Sequence, residues 1–219
     1  MELISGVVLA GGKSSRMGFN KAFLRLGQQH LIERIVATLK EVFTENILVA
    51  DAPELYWNLG LPVVTDIFPG CGPLSGIHAG LVYTNTPYIF VVACDMPFVT
   101  AQFILFLLRQ AGGGYEVIVP QINEQAEPLC AVYHKGCLPV VENRLKAGQY
   151  KVSGFFQAVK VKYIAQEEFS YIDEEDKIFI NLNTRNDLKR AWHILDREDR
   201  SWRKISALRF KDLKKDLKF

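Results

Sequence analysis

No apolar run in this chain approaches the roughly 18 residues that a membrane-spanning helix needs. The start, Met1-Glu2, leads straight into a predicted strand and lacks the basic and apolar segments of a signal peptide. We therefore expect a cytoplasmic protein. The formal net charge is only +2 among 219 residues, which argues against nucleic acid or a membrane surface as a partner.

Cysteine is also scarce. Only four cysteines occur, and no two of them form a C-x-x-C pair, which argues against a zinc site or a redox motif. In a reducing compartment they are expected to be free thiols. The four are Cys71, Cys94, Cys130 and Cys137.

The chain lacks the two best-known phosphate-binding loops, because neither G-x-x-x-x-G-K-[ST] nor G-x-G-x-x-G occurs. It has instead an apolar run that stops at Gly11-Gly12 and continues into a small, polar loop with Arg16 and Lys21. Paired glycines let backbone N–H groups approach a ligand closely, and the two cations add positive charge. This stretch predicts a loop that wraps a nucleoside triphosphate, with a plain turn as the alternative.

Apolar, β-rich runs alternate with helical patterns, and no internal repeat or low-complexity linker interrupts them. Because some strands are apolar on both faces, the pattern predicts a three-layer α/β/α sandwich around a mostly parallel central sheet. We predict one domain over residues 1–198. The predicted strands are 3–9, 46–50, 61–65, 88–93, 115–119, 129–134 and 158–164. The predicted helices are 29–43, 73–84, 100–111, 135–147 and 184–198.

The C-terminal end differs from the rest of the chain in charge. Residues 197–219 hold nine basic residues against four acidic ones. We predict a basic C-terminal tail or helix over 199–219, either solvated or docked on an acidic partner.

Polar residues follow three of the predicted strands. The Gly11-Gly12 loop follows the first strand, Asp66 the third and Asp95 the fourth. The carboxyl ends of parallel strands meet at one edge of a sheet, so these residues are expected to converge there. Asp95 is the best candidate metal ligand, because magnesium takes one or two carboxylates together with phosphate oxygens and water. The alternatives are helix capping for Asp95 and a solvated or capping role for Asp66.

The ordered motifs resemble those of the molybdenum cofactor guanylyltransferases, a branch of the nucleotidyltransferase superfamily. The first motif runs from Leu9 through Arg16-Met17-Gly18 to Lys21, and the resemblance extends over residues 5–192. The later motifs are Val64-Thr65-Asp66, Gly72-Pro73-Leu74-Ser75-Gly76, Ala93-Cys94-Asp95-Met96-Pro97 and Asn181-Leu182-Asn183-Thr184.

This resemblance implies a Rossmann-like fold of the nucleotide-diphospho-sugar transferase type. It implies transfer of GMP from GTP to molybdopterin, or to molybdenum-bound molybdopterin, with release of pyrophosphate. It also implies Mg²⁺ as cofactor, held by Asp95, and transient contact with proteins that assemble molybdoenzymes. By resemblance Arg16, Lys21 and Asp95 are catalytic, with Arg16 facing the β- and γ-phosphates.

The binding residues implied by the resemblance form a wider set. Asp66 helps to hold guanosine, since a carboxylate accepts from the N1–H and 2-amino groups of guanine. Asn181 and Asn183 lie on the molybdopterin side, with capping of the following helix as the alternative, and Lys151 is a weaker candidate for the pterin phosphate. For the Gly72-Pro73 segment the alternative is a plain helix start. The set is Leu9, Ala10, Gly11, Gly12, Lys21, Asp66, Gly72, Pro73, Leu74, Asp95, Asn181 and Asn183.

Three positions depart from the family pattern. Asn20 stands where an Asp commonly precedes the lysine, so a hydrogen bond is expected to replace the ion pair that orients Lys21. Ala50 stands where an Asn commonly contacts the base, and Glu127-Pro128 replaces a His-Pro pair on the acceptor side. The alternatives are a related transferase that uses CTP, ATP or a sugar or alcohol phosphate, and a catalytically silent nucleotide-binding protein.

Overall fold

The computed structural model describes residues 3–11, 20–173, 177–184 and 186–197. Strands and helices alternate along these segments, as the sequence predicts. The strands are β1 (Ile4–Leu9), β2 (Arg25–Leu26), β3 (Gln29–His30), β4 (Asn46–Val49), β5 (Val63–Val64), β6 (Tyr88–Ala93), β7 (Val117–Ile122), β8 (Gln125–Ala126), β9 (Cys130–His134) and β10 (Val161–Ala165). The α-helices are α1 (Leu31–Val42), α2 (Pro73–Tyr83), α3 (Ala101–Leu108), α4 (Leu138–Lys146) and α5 (186–197).

The central sheet is mostly parallel. Its strand order is β10-β7-β9-β6-β1-β4-β5, with β8 paired to β7. β1 runs parallel to β4 and β6, and β4 runs parallel to β5. β9 runs antiparallel to both of its neighbours, and it joins the parallel pair β7 and β10 to the rest of the sheet.

Helices cover both faces of the sheet, which explains why its central strands are apolar throughout. β1 and β6 are buried along their whole length. Successive side chains of a strand point to opposite faces, so Val8 packs with residues of α1 and α3, and Val7 packs with residues of α2 and α4. The predicted three-layer α/β/α sandwich is confirmed.

Helix α2 lies close against β1 because two of its glycines face the strand. A Cβ at Gly76 would lie 3.0 Å from Leu9, and a Cβ at Gly80 would lie 3.0 Å from Val7. Side chains at these positions would push the helix away from the sheet. The close packing holds the first turn of α2 beside the end of β1.

Element boundaries differ slightly from the prediction. The helix predicted over 100–111 ends at Leu108, before three successive glycines with positive φ, Gly112, Gly113 and Gly114. The hairpin of β2 and β3 was not predicted, because two-residue strands are too short to show a period. The predicted tail over 199–219 lies outside the described residues. Within the described part of the chain, no helix has the length and apolar character to cross a membrane.

Candidate active site

A cavity of about 620 Å³ opens at the edge of the sheet where the parallel strands end. Its volume lies in the usual range for small-molecule sites. The ends of β1, β4 and β6 form its floor, and the loop before α2 forms one wall. The lining residues are Leu9, Ala10, Gly11, Asn20, Lys21, Val49, Ala50, Asp51, Asp66, Gly70, Gly72, Pro73, Gly76, Ala93, Cys94, Asp95 and Leu129.

The structure brings most of the predicted site residues to this cavity. Leu74 does not line it, because its side chain is fully buried in the core between α2 and the sheet. Lys151 is exposed in the loop after α4 and is not among the lining residues. Gly12 and Arg16 lie outside the described residues. The predicted residues that do line the cavity are Leu9, Ala10, Gly11, Lys21, Asp66, Gly72, Pro73 and Asp95.

A lysine and a carboxylate face each other in the cavity. Lys21 Nζ lies 4.0 Å from Asp95 Oδ2, and the two side chains are 18% and 22% exposed. Burial raises the pKa of Asp95, and the charge of Lys21 opposes that shift. The pair therefore places one cation and one anion in a partly dehydrated space, where charges act more strongly than in water.

The segment before α5 closes on this pair from a distant part of the chain. Lys21 Nζ donates a hydrogen bond to Asn183 Oδ1 at 2.6 Å, and the Leu182 N–H donates to the Asp95 carbonyl at 2.9 Å. Leu182 is buried in a small core with Leu26 and Leu31. Packing of that core holds Asn183 against the lysine.

The capping alternatives for two predicted residues are wrong. Thr184 Oγ1 accepts from the Asp187 N–H at 3.1 Å and Asp187 Oδ2 accepts from the Thr184 N–H at 2.7 Å, so these two residues cap α5 rather than Asn183. At α3 the cap is Thr100, whose side chain accepts from the Phe103 N–H. Asp95 has no part in that cap.

The Asn20 side chain is not hydrogen-bonded to the Lys21 ammonium, contrary to expectation. Its Nδ2 donates to Tyr56 Oη at 2.8 Å, and its Oδ1 accepts from the Ala22 N–H at 3.0 Å. Both ends of the amide are therefore engaged elsewhere. The groups that orient Lys21 are Asn183 and Asp95.

Two further carboxylates, Asp51 and Asp66, line the cavity. Burial raises the pKa of Asp66 to about 6, and the charge of Asp51 adds to the shift. Within the described part of the chain, the buried Asp66 Oδ1 has no hydrogen-bond partner. Asp51 was missed as a site residue, although the rule that selected Asp66 and Asp95, an acid just beyond a parallel strand, applies to it equally.

The loop before α2 also faces the cavity. Gly70 and Gly72 have φ values of +77° and +72°, which side-chain-bearing residues rarely adopt, and a Cβ at either position would meet no atom within 4 Å. Pro73 occupies the first turn of the 11-residue α2. The amino end of α2, which carries a partial positive charge, therefore lies beside the site, an arrangement suited to an anion.

The chain matches the family described as MobA-like NTP transferase domain over residues 6–162. It is 42% identical over 187 residues to the probable molybdenum cofactor guanylyltransferase of Pelotomaculum thermopropionicum, covering 85% of this chain and 91% of that protein. It is 35% identical over 192 residues to the molybdenum cofactor guanylyltransferase of Desulfosudis oleivorans, covering 87% and 95%.

A solved structure shares the fold. The crystal structure of molybdopterin-guanine dinucleotide biosynthesis protein A from Archaeoglobus fulgidus matches with a TM-score of 0.80 at 28% identity, covering 88% of this chain and 99% of that one. The fold and the relatives define a nucleotidyltransferase. The chain belongs to the family of MobA-like NTP transferase domains.

Proposed function

We propose that the protein transfers GMP from GTP to molybdopterin, or to its molybdenum-bound form, and releases pyrophosphate. The observation that carries the proposal is the Lys21–Asp95 pair, set in a cavity that the amino end of α2 also faces. Relatives that align over most of their length are named for this activity.

The reaction needs charge stabilisation and positioning more than covalent chemistry. A phosphate oxygen of the acceptor attacks the α-phosphorus of GTP, and the bond from that phosphorus to the pyrophosphate oxygen breaks. An ammonium has three N–H donors, so the hydrogen bond from Lys21 to Asn183 leaves donors for a phosphate oxygen. We assign to Lys21, with Arg16 and the Gly11-Gly12 loop, the stabilisation of negative charge on the phosphates.

The residues at the site fit a magnesium ion. Asp95 is a partly buried carboxylate, and the Lys21 ammonium lies 4.0 Å from its Oδ2, beyond hydrogen-bond distance. Within the described segments, no group of three or more His, Cys, Asp and Glu is placed to hold a metal ion. Magnesium commonly takes one or two carboxylates and fills its other positions with phosphate oxygens and water. We propose Asp95 as its ligand; the bound ion would neutralise phosphate charge.

We propose that Asp66 recognises guanine. Its buried Oδ1 has no hydrogen-bond partner within the described residues, and an ionised carboxylate accepts from the N1–H and the 2-amino group of guanine. Adenine lacks that pair of donors. Asn181 and Asn183, in the segment that closes on the cavity from outside the sheet, are proposed for the acceptor side.

The test is a screen of GTP, CTP, ATP and UTP with Mg²⁺, with and without molybdopterin, read as pyrophosphate release. We expect release with GTP and acceptor together. Equal turnover with CTP or ATP would overturn the assignment of the base. Tight GTP binding by calorimetry without any turnover would show a silent nucleotide-binding protein.

A further inference from the structure

The buried side chain of Tyr56 joins two segments that are ten residues apart in the chain. It is 1% exposed, its hydroxyl donates to the Ala10 carbonyl at 3.2 Å, and it accepts from Asn20 Nδ2 at 2.8 Å. Ala10 directly precedes the Gly11-Gly12 loop, and Asn20 directly precedes Lys21. One hydroxyl therefore contacts the chain just before and just after the loop that carries Arg16.

The directions of these hydrogen bonds follow from the chemistry of the groups. The Ala22 backbone N–H can only donate, so the amide oxygen of Asn20 must face it. The amide nitrogen then faces Tyr56 and donates to its oxygen. The hydroxyl proton is left for the Ala10 carbonyl, which can only accept. Each of these three hydrogen bonds then has one donor and one acceptor.

This network explains why an asparagine suits position 20 of this chain, where an aspartate is common in the family pattern. An aspartate there could accept from the Ala22 N–H, but its second oxygen would also need the Tyr56 proton. Tyr56 has a single proton, so it could satisfy either the carboxylate or the Ala10 carbonyl and not both. An asparagine is the residue of this shape that lets both bonds form.

Packing fixes the tyrosine ring as well as its hydroxyl. The ring of Phe23 stacks on that of Tyr56, with centroids 5.2 Å apart and planes inclined by 19°. Phe23 belongs to the same short helical turn, Lys21–Phe23, that Asn20 caps. The position of Lys21 is therefore set partly through Tyr56.

We propose that Tyr56 and Asn20 are a matched pair of positioning residues that hold the end of β1 against the Lys21–Phe23 turn, and thereby preorganise Gly11 and Lys21 for a triphosphate. This inference rests on the proposed function of the loop. Neither residue needs to contact the reacting atoms. Their loss should weaken binding of the triphosphate and leave the chemical step intact once the nucleotide is bound.

The test compares Tyr56→Phe with Tyr88→Phe. Tyr88 lies at the start of β6 and is not among the residues that line the cavity. It is also buried, and its hydroxyl donates to the Tyr115 carbonyl at the same distance, 3.2 Å. Binding is measured by calorimetry with Mg²⁺ and whichever of the four nucleoside triphosphates the wild-type protein binds most tightly. We expect Tyr56→Phe to raise the Kd and KM for that nucleotide about tenfold, with kcat and the acceptor KM within about twofold, and Tyr88→Phe to change neither.

Asn20→Asp provides a second variant that keeps the shape of the side chain. We expect it to weaken nucleotide binding about as much as Tyr56→Phe, and the double variant to be little weaker than either single one, because both break one network. Affinity of Tyr56→Phe within twofold of wild type, an equal loss in Tyr88→Phe, or multiplying effects in the double variant would overturn the pairing. If the wild-type protein binds none of the four nucleotides, the proposed function itself fails.

Discussion

The two halves of the central sheet contribute differently to the cavity. In the parallel half, β6-β1-β4-β5, polar or glycine residues follow the strand ends, and three of them are the acids Asp51, Asp66 and Asp95. In the mixed half, β10-β7-β9, the reversed strand β9 begins at the edge where the cavity lies. Leu129, which directly precedes β9, lines the cavity. Parallel strands place the polar residues that follow them at one edge of the sheet, because their carboxyl ends all lie there. A reversed strand has its carboxyl end at the opposite edge.

The polar groups opposite the parallel half come from outside the sheet. Asn183 reaches Lys21 because the segment before α5 is anchored in a small core. That core joins residues from three separate parts of the chain: Leu26, Leu31, Phe98, Ile180, Leu182, Ala191 and Ile194. One side of the site thus depends on strand ends, and the other on packing between distant segments.

The strongest test of the parallel half is Asp95→Asn. The variant keeps the shape of the side chain and removes its charge, so we expect the rate of GMP transfer to fall about 10³-fold while the fold is kept. Pyrophosphate release at saturating GTP and acceptor measures this. Glu41→Gln, an exposed acid on α1, serves as the control. Activity of Asp95→Asn within tenfold of wild type would remove Asp95 from the reacting centre.

Asp66→Asn should weaken GTP binding about 30-fold, because the amide nitrogen that replaces one carboxylate oxygen repels the guanine donors. The pKa of Asp66 is raised in the folded protein, so the folded state binds more protons than the unfolded state between about pH 4 and pH 6. The free energy of unfolding therefore falls as the pH rises through that window.

Replacing Asp66 by Asn removes that loss. We expect the nucleotide-free variant to be more stable than wild type by about 1 kcal/mol at pH 8, a value reduced for partial exposure, and not at pH 4. Urea denaturation at the two pH values measures the difference. Equal stability at pH 8 would show that the buried carboxylate costs nothing.

Asn183→Ala addresses the opposite side of the cavity. Loss of the 2.6 Å hydrogen bond frees the Lys21 ammonium, and we expect kcat to fall about tenfold with a smaller change in the Kd for GTP. Steady-state kinetics with both substrates separate the two effects. A change in Kd alone would indicate that Asn183 serves binding rather than the placement of the lysine.

Thr184→Ala is expected to have the smallest effect. It removes the cap of α5 and should lower stability by about 1 kcal/mol, with GTP affinity unchanged, since the hydrogen bond of the Thr184 hydroxyl lies within the cap. Denaturation and calorimetry on the same sample measure both quantities. A tenfold loss of GTP affinity would mean that the placement of Asn183 depends on this cap.

Much of the parallel half could be predicted because its signals are local. A buried strand followed by glycines or an acid can be recognised in a sequence window of about ten residues. Because the carboxyl ends of parallel strands lie at the same edge of a sheet, these residues are then expected at one edge. Asp51 directly follows the predicted strand 46–50, so the same rule applies to it. Leu74 was included because it belongs to a motif, but packing of α2 against the sheet buries its side chain.

Contacts between distant residues could not be predicted in this way. The bond from Lys21 to Asn183 spans 162 positions, and that from Tyr56 to Ala10 spans 46. The role of Asn20 was expected to lie with its neighbour Lys21, and it lies instead with Tyr56. No local pattern distinguishes these partners, because each depends on how separate elements pack.

The sequence by itself determined the layered architecture, the edge at which the site forms and the family to which the chain belongs. Alternating apolar runs, paired glycines and acids after strands carry that information, because each of these patterns spans only a short stretch of sequence. Only the tertiary structure decided which groups hold Lys21, which residue caps α5 and how the ends of the phosphate loop are joined. Those choices depend on a few hydrogen bonds between packed elements, whose geometry exists only after the hydrophobic core has formed.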